Sequence, residues 1–587
     1  MWHQKILNPD KIQGVSVLLL YYRYILYKMN SNKKTKKNKK PKGIQYKTKK
    51  QKKTINLGIL FSKILLQNGI DIFFGVPSDL NMPILDAMLE EKVKFIGCRN
   101  ELNASYMAEG FARTKPFTYV VVGSMVGSLS AANGFANSIC EKNPVLMISG
   151  GNNTNDILDG KLSHHTLYTG INNQIKSFEV FTTLAGEDNS FMINSLNSFG
   201  IKNTVTNISN SLTTFNSAYV QIPVNLQTVK GDFDFSNIIS NQFNNTKMNF
   251  ESFKFYNIVN EWIKINYEND KTVLSKLKPV FLFGSAYNHY SKFITLADEN
   301  FYNLMNDINA SMFYTIDAKG ILDESNKNVI GYYWGGITEE YKLKYFENAT
   351  VIVYIGVDFS DYTTSGYTSV FKPNFTINCK NIFINNKQNV RLNKIHLSET
   401  SKTVTTSIQD ELNSNTDIFV ETGSSWFYGA YLKLPKECRY NISIKYGSIG
   451  WCFPASIGNA FANPSRKTIC LTGDGAFQCV LQELVTAQTY NVNLTLILIN
   501  NNVYQIENVL DGRKYNDLPD IDYEAMAKAM NCKSVTTCTI QNFKRTLQKY
   551  NALPGFNIVI LKVSDHAVDD LMKKWAKLVS AYTTHYP

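Results

Sequence analysis

A chain of 587 residues exceeds what one hydrophobic core usually serves, so two to four domains are expected, and 44% hydrophobic with 19% charged residues is the composition of an ordinary globular protein. The net charge of +13 would suggest a nucleic-acid partner, but sixteen of the 61 Lys and Arg residues and a single acid, Asp10, fall within residues 1–54. The other 533 residues carry 45 bases against 47 acids, so the basicity belongs to a tail and neither a nucleic-acid nor a membrane partner is expected.

Upstream of its basic runs the tail carries GVSVLLLYYRYILY (14–27), which is interrupted by Arg23, is short for a membrane span and is followed by no small-residue cleavage site. Met29 offers an alternative start of translation. KKTKKNKKPK (33–42) and KTKKQKK (47–53) repel themselves and bury almost nothing, so residues 1–54 read as a disordered extension.

From 55 to 231, apolar runs alternate with helical lengths: IDIFFGVP (70–77), FTYVVVGS (117–124), NPVLMISGG (143–151) and SAYVQIPV (217–224). Continuous apolar strands separated by helices imply a parallel sheet covered on both faces. A polar stretch, 232–253, reads as a linker. The block 254–400 repeats the pattern with KPVFLFGSA (278–286) and NATVIVYIGVDF (348–359), and carries no glycine fingerprint for a nucleotide. The block 401–587 holds TDIFVETGSS (416–425), KTICLTGD (467–474), LTLILIN (494–500) and FNIVILKV (556–563). The expected architecture is α/β, with three successive domains of parallel sheet flanked by helices. Nine scattered cysteines without a CxxC pair argue against a disulfide framework and a structural zinc site, and fit a reducing compartment, most simply the cytoplasm.

In the third block LTGDGAFQ (471–478) reads as a strand, a turn of Gly473 and Gly475 around Asp474, and a helix with Phe477, Val480, Leu481, Leu484 and Gln488 on one stripe. A helix-length crossover makes LTLILIN parallel to the strand before it, so both carboxyl ends share an edge. Asp474 and Asn501, twenty-seven positions apart, are then neighbours at the ligand-binding edge of an open sheet. A carboxylate, an amide oxygen and a turn carbonyl suit magnesium, and free N–H groups near Gly475 and Ala476 suit a diphosphate.

GDG followed by NN at this spacing resembles the signature of thiamine-diphosphate enzymes. GVPSDLN, RNELNASYMAEGFAR, GSLSAANG, SHHT, ETGSSWF, YGSIGW and YQIE resemble the 2-oxo acid decarboxylases among them, over about residues 55–587. The resemblance implies thiamine diphosphate and Mg2+ as cofactors. Glu101 would hydrogen-bond the aminopyrimidine ring. Thr422 and Ser424 would belong to the cofactor site, Ile449 would be the wedge that bends the cofactor, and backbone groups of Gly447 and Ile449 would hold the pyrimidine. Asp474, Asn501 and the Val503 carbonyl would bind the metal, with Gly475 and Ala476 at the diphosphate. The family usually has glycine at 503, so backbone geometry there is where this chain departs from it.

Asp79, His164, His165 and Glu507 match the family's acid-base set. Glu507 would sit in a dry pocket that raises its pKa, since a carboxylate facing a substrate carboxylate must be partly protonated. Trp426, Ile506, Leu510 and Trp575 match pocket-lining positions, and two tryptophans would narrow the cavity in favour of pyruvate, giving acetaldehyde and CO2. Indolepyruvate, phenylpyruvate or branched-chain 2-oxo acids are alternative substrates. An acetolactate-synthase-like carboligase and an inactive basic-tailed binding protein are more distant readings. Because Glu101 and the metal ligands lie in different blocks, the cofactor bridges domains, which in this family means a homodimer or homotetramer with sites at the subunit interface.

Overall fold

The computed structural model describes residues 54–166, 173–182, 189–193, 198–231, 277–286, 299–377, 379, 382, 396–563 and 568–583. The basic segment 1–53 and the expected linker 232–253 lie outside the described residues.

Three parallel sheets follow one another along the chain. The first contains β1 (Ile72–Gly75), β2 (Lys94–Gly97), β3 (Thr118–Val122), β4 (Val145–Gly151), β5 (Ser190–Met192) and β6 (Ala218–Pro223), in the order β2-β1-β3-β4-β6-β5. The second contains β7 (Pro279–Phe283), β8 (Ser311–Thr315), β9 (Val329–Tyr333), β10 (Val351–Ile355) and β11 (Phe375–Ile377), in the order β11-β10-β7-β8-β9. The third contains β12 (Thr416–Val420), β13 (Arg439–Ile442), β14 (Lys467–Gly473), β15 (Leu494–Asn500), β16 (Val535–Thr539) and β17 (Phe556–Lys562), in the order β13-β12-β14-β15-β17-β16. The first and third sheets therefore share one strand order, although no tandem repeat is readable in the sequence. Each has its switch point where the chain returns past its first strand, between β1 and β3 or between β12 and β14, and ligands of open α/β sheets settle beside such points. β4, β6 and β15 are buried at every position, as strands covered on both faces must be.

The helices that position the site are α1 (Glu101–Ala112), α2 (Val126–Cys140), α3 (Ser424–Ala430), α4 (Cys452–Ala462), α5 (Asp474–Gln478), α6 (Leu484–Tyr490), α7 (Gln505–Asp511) and α8 (Asp570–Thr583). The single helix expected after Asp474 is broken. α5 ends at Gln478, a 3-10 turn spans Leu481–Glu483, and α6 follows. The break begins at Val480, whose φ of −139° leaves the helical region, and it turns the fully buried Glu483 toward the first domain. There Glu483 accepts from the Arg99 N–H at 2.8 Å and from Asn103 Nδ2 at 3.0 Å.

First and third domains also meet where α1 crosses α4. A Cβ on Gly110 would collide with the Ala455 carbonyl, and one on Gly458 with that of Met107, so two glycines let the backbones touch. Beside this crossing Glu109 accepts from Trp451 Nε1 at 2.7 Å and from Arg113 Nε at 2.8 Å. The partly buried Lys445 links all three domains: its backbone N–H donates to Glu141 at 3.0 Å, and its ammonium lies 3.2 Å from Asp358 and 3.9 Å from Asp317.

Candidate functional site

β14 and β15 run in register, with Thr472 opposite Leu498 and Gly473 opposite Ile499, so Asp474 and Asn501 emerge side by side. Asp474 is 1% exposed. Its Oδ1 accepts from the Gly475 N–H at 2.9 Å, and its Oδ2 from those of Asn501 at 3.1 Å and Asn502 at 2.6 Å. Burial pushes the carboxyl up to about 6 even though these donors favour the anion. The Gly475 N–H, expected to be free for a diphosphate, is thus already taken by the carboxylate at the helix start. Gly475 itself lies within α5 and leaves room for the ring of Tyr504, against which a Cβ would clash.

The Asn501 amide oxygen lies 3.1 Å from the Val503 carbonyl oxygen and 3.2 Å from Asp474 Oδ1. Its Nδ2 points the other way and donates to Gln505 Oε1 at 3.1 Å. With the oxygen on this side three acceptors face one another with no donor between them, an arrangement that a hard cation relieves, whereas the amide turned over would donate to both neighbours. The donor set of one carboxylate, one amide oxygen and one carbonyl fits magnesium. Val503 is 5% exposed and lacks a positive φ; the left-handed residue of this turn is its neighbour Asn502, at φ 57°, and asparagine tolerates that conformation. A bridge between Val503 and Asp517, and the bond from the Leu518 N–H to the Asn502 carbonyl, hold the turn.

The adjoining wall is the turn from Tyr446 to Trp451. Ile449, 41% exposed, stands between the left-handed Gly447 (φ 70°) and Gly450 (φ 83°). Thr422 Oγ1 donates to the Ser448 carbonyl at 3.5 Å, and Ser424 begins α3. Helices of the first domain grip the turn: Tyr106 and Ser448 share a hydroxyl bond of 2.6 Å, and Tyr446 donates to Asn133 at 2.7 Å.

Beneath the turn lies Glu421, fully buried, accepting from the N–H groups of Thr422 at 2.9 Å and Cys452 at 3.1 Å. Burial pushes its carboxyl up to about 8, against those donors. Because the folded value is raised above the unfolded carboxylate's, the contribution of Glu421 to stability is complete below the unfolded value and is lost as pH rises through about 8. Urea midpoints recorded between pH 5 and 8 should therefore fall more steeply in the parent than in Glu421→Gln.

On the first domain His164 Nε2 lies 2.9 Å from Asp79 Oδ2, and the rings of His164 and His165 are 4.6 Å apart. The left-handed His165, at φ 59°, lets two successive imidazoles share one side, and potential ligand atoms of all three residues lie within 4.8 Å of one another. Burial pushes Asp79 up, but the Ser78 hydroxyl and His164 outweigh it and hold the carboxyl below its usual value. Glu101 is half-buried at the first turn of α1, its carboxylate facing Gly127 near the start of α2. No hydrogen bond or ion pair joins Glu101 or the Asp79–His164–His165 group to Asp474, Asn501 or Glu507 within the described residues.

In the single chain two sets of pocket residues sit differently from the expectation. Glu507, expected in a dry environment, is exposed on the first turn of α7, because that helix presents only its Gln505 face to the interior. Trp426 and Trp575, expected as cavity walls, are core residues at 0% and 3% exposure, stacked edge-on at 5.9 Å. Each also packs on Tyr362, at 5.7 and 5.1 Å, so the pair forms a floor beneath the surface. Trp426→Ala should accordingly cost about 3–5 kcal/mol of stability, read from denaturant midpoints. Ile506 packs on the same cluster, and Leu510 is 42% exposed.

Tyr362, Gln505 and Glu421 were not singled out from the sequence. Burial pushes the Tyr362 phenol up, with Asp361 and Glu507 adding to the shift, which places this second-domain residue beside Glu507. It lies in DFSDYTTSGYT, but no local spacing says that the segment reaches the third domain.

Three family models match the chain. The thiamine pyrophosphate enzyme N-terminal TPP binding domain matches residues 55–176, the central domain 272–400, and the C-terminal TPP binding domain 421–561. Among curated proteins the chain is 29% identical to probable pyruvate decarboxylase Pdc101 of Schizosaccharomyces pombe, over 82% of this chain and 88% of that one. It is also 29% identical to pyruvate decarboxylase 2 of Arabidopsis thaliana (81% and 82% covered), and 27% identical to pyruvate decarboxylase of Neurospora crassa (82% and 87%).

Proposed function

Because the chain belongs to the thiamine-diphosphate-dependent 2-oxo acid decarboxylases, we propose that it converts pyruvate to acetaldehyde and CO2, with thiamine diphosphate held through Mg2+ on Asp474, Asn501 and the Val503 carbonyl. The observation that carries the site assignment is the convergence of those three oxygens at the tips of β14 and β15. Pyruvate is favoured by the names of the relatives and by the bulk of Tyr362 beside Glu507.

When bound, thiamine diphosphate supplies the nucleophilic carbon and the electron sink that decarboxylation requires. Glu101 would hydrogen-bond the aminopyrimidine and hold the proton exchanged there. Ile449, the backbone groups of Gly447 and Ile449, and Thr422 and Ser424 would hold the ring end of the cofactor, and Ala476 would hold its diphosphate. Glu507 would face the substrate carboxylate. Asp79, His164 and His165 hold and relay the proton that completes the aldehyde, His164 being oriented by its contact with Asp79.

Glu101 and the histidine group form one half-site and the oxygen cluster with Glu507 the other, so a second copy completes each centre in a homodimer or homotetramer. Exposed apolar side chains at Val126 and Leu129 of α2, and at Ile449, suit that contact. Covering by the partner is also what would dry the surroundings of Glu507. The nine free thiols suit a reducing, cytoplasmic setting, and no helix among the described residues is long and apolar enough to cross a membrane.

The test is acetaldehyde production from pyruvate, coupled to alcohol dehydrogenase, with and without thiamine diphosphate and Mg2+. Cofactor-dependent turnover favouring pyruvate over phenylpyruvate, indolepyruvate and branched-chain acids is expected. Faster turnover of a larger acid would overturn the substrate assignment, and no turnover of any would overturn the activity. Removal of residues 1–54 should leave the rate unchanged, since every residue assigned a role lies beyond them.

A further inference from the structure

Gln505 opens α7, four positions beyond Asn501, and is 6% exposed. Its Oε1 is occupied by Asn501 Nδ2 at 3.1 Å, while its own Nε2 is buried with no acceptor. The Asn501 amide has two orientations available. With Nδ2 on Gln505, its oxygen confronts Asp474 and Val503. Turned over, it would donate to both, at 3.2 and 3.1 Å, and its oxygen would face Gln505. Gln505 could follow that change by turning its own amide to offer Nε2.

We infer that Gln505 is a positioning residue for the cation site: the paired amides of Asn501 and Gln505 turn together between an oxygen-inward state that accepts a divalent ion and a self-bonded state that excludes it. This rests on the metal reading proposed above. The oxygen-inward state leaves three acceptors opposed and Gln505 Nε2 without a partner, so a bound cation stabilises it relative to the other. The self-bonded state satisfies Asn501 internally and competes with the ion. An acceptor at position 505 favours the first state by holding Nδ2 outward. A donor there favours the second.

The substitutions separate these roles. Glu at 505 can only accept while ionised, and should lock the Asn501 oxygen inward. Met at 505 has similar length and neither function, so it strands Asn501 Nδ2 in the first state and the Asn501 oxygen in the second, and because a buried orphaned donor is worse tolerated than an under-satisfied carbonyl it tilts the pair toward the self-bonded state. The measurement is binding of Mn2+ to the full-length protein, stripped of metal and supplied with thiamine diphosphate, followed through the electron paramagnetic resonance signal of the free ion. Gln505→Met is expected to weaken Mn2+ binding by roughly threefold to tenfold, the worth of one net hydrogen bond. Gln505→Glu should bind at least as tightly as the parent. Circular dichroism of each variant establishes that it is folded, and if Gln505→Met is not, Gln505→Glu still decides.

Parent-like affinity in a folded Gln505→Met, or an affinity in Gln505→Glu that falls to the level expected of Met, would overturn the positioning role. Asn501→Ala and Asp474→Asn distinguish a deeper failure. If they also bind Mn2+ normally, the cation site itself is wrong, whereas if they lose it and only the Gln505 variants behave as the parent, the site stands and the coupling falls.

Discussion

Asp474→Ala is expected to weaken divalent-cation binding by at least roughly a hundredfold, beyond the loss usual for a supporting contact, and to remove cofactor-dependent decarboxylation with it. Two effects add. The substitution removes the only charged member of the oxygen cluster, and it leaves the N–H groups of Gly475, Asn501 and Asn502 without their acceptor. Each buried orphan costs about 1–3 kcal/mol, so Asp474→Ala should also be less stable than its parent. Asp474→Asn keeps one acceptor oxygen and the shape of the side chain. It should therefore lose most of the cation affinity while staying closer to the parent in urea. Isothermal titration with Mg2+ and thiamine diphosphate reads the first effect and denaturant midpoints the second. Normal cation binding by both variants would remove Asp474 from the site.

Glu101→Gln should lower kcat by roughly a hundredfold to ten-thousandfold while cofactor binding survives, because the amide retains hydrogen-bonding capacity but cannot exchange the proton. The position permits the substitution. Glu101 is half-buried, and the turn that carries it is capped by Asn100, which accepts from the Asn103 N–H at 2.7 Å, so the fold does not lean on this carboxylate. The measurement is kcat beside a separate titration of thiamine diphosphate. Unchanged kcat would exclude Glu101 from proton transfer, and lost binding without lost stability would make it an anchor instead.

The long interior strands were legible because burial on both faces writes them as unbroken apolar runs. Each of the ten runs quoted contains an observed strand, with LTLILIN matching β15 end to end. The edges were less legible. β2 (KFIG), β13 (RYNI) and β16 (VTTCT) alternate buried and exposed positions or are too short to show a period, and β5 has three residues. The interior β8, SMFYT, was missed because its aromatic and polar residues do not form an aliphatic run. At the site, Asp474 and Asn501 could be paired from sequence because one β-α-β unit fixes both. Gln505 could not, since its bond to Asn501 depends on the left-handed step at Asn502, and Tyr362 could not, since only domain packing brings it to Glu507. The exposure of Glu507 and the depth of Trp426 and Trp575 also depend on packing that a residue type does not specify.

The shared strand order of the first and third sheets gives the molecule a polarity. β4 and β15 hold equivalent places in the two frames, yet the chain leaving β4 leads to imidazoles and the chain leaving β15 to hard oxygens. On the proposed reading, an elongated coenzyme spanning two such edges can lie only one way round, anionic tail toward the third frame and heterocyclic head toward the first. A reversed pose would set its phosphates against the Asp79 carboxylate and strand its ring among oxygens that want a cation.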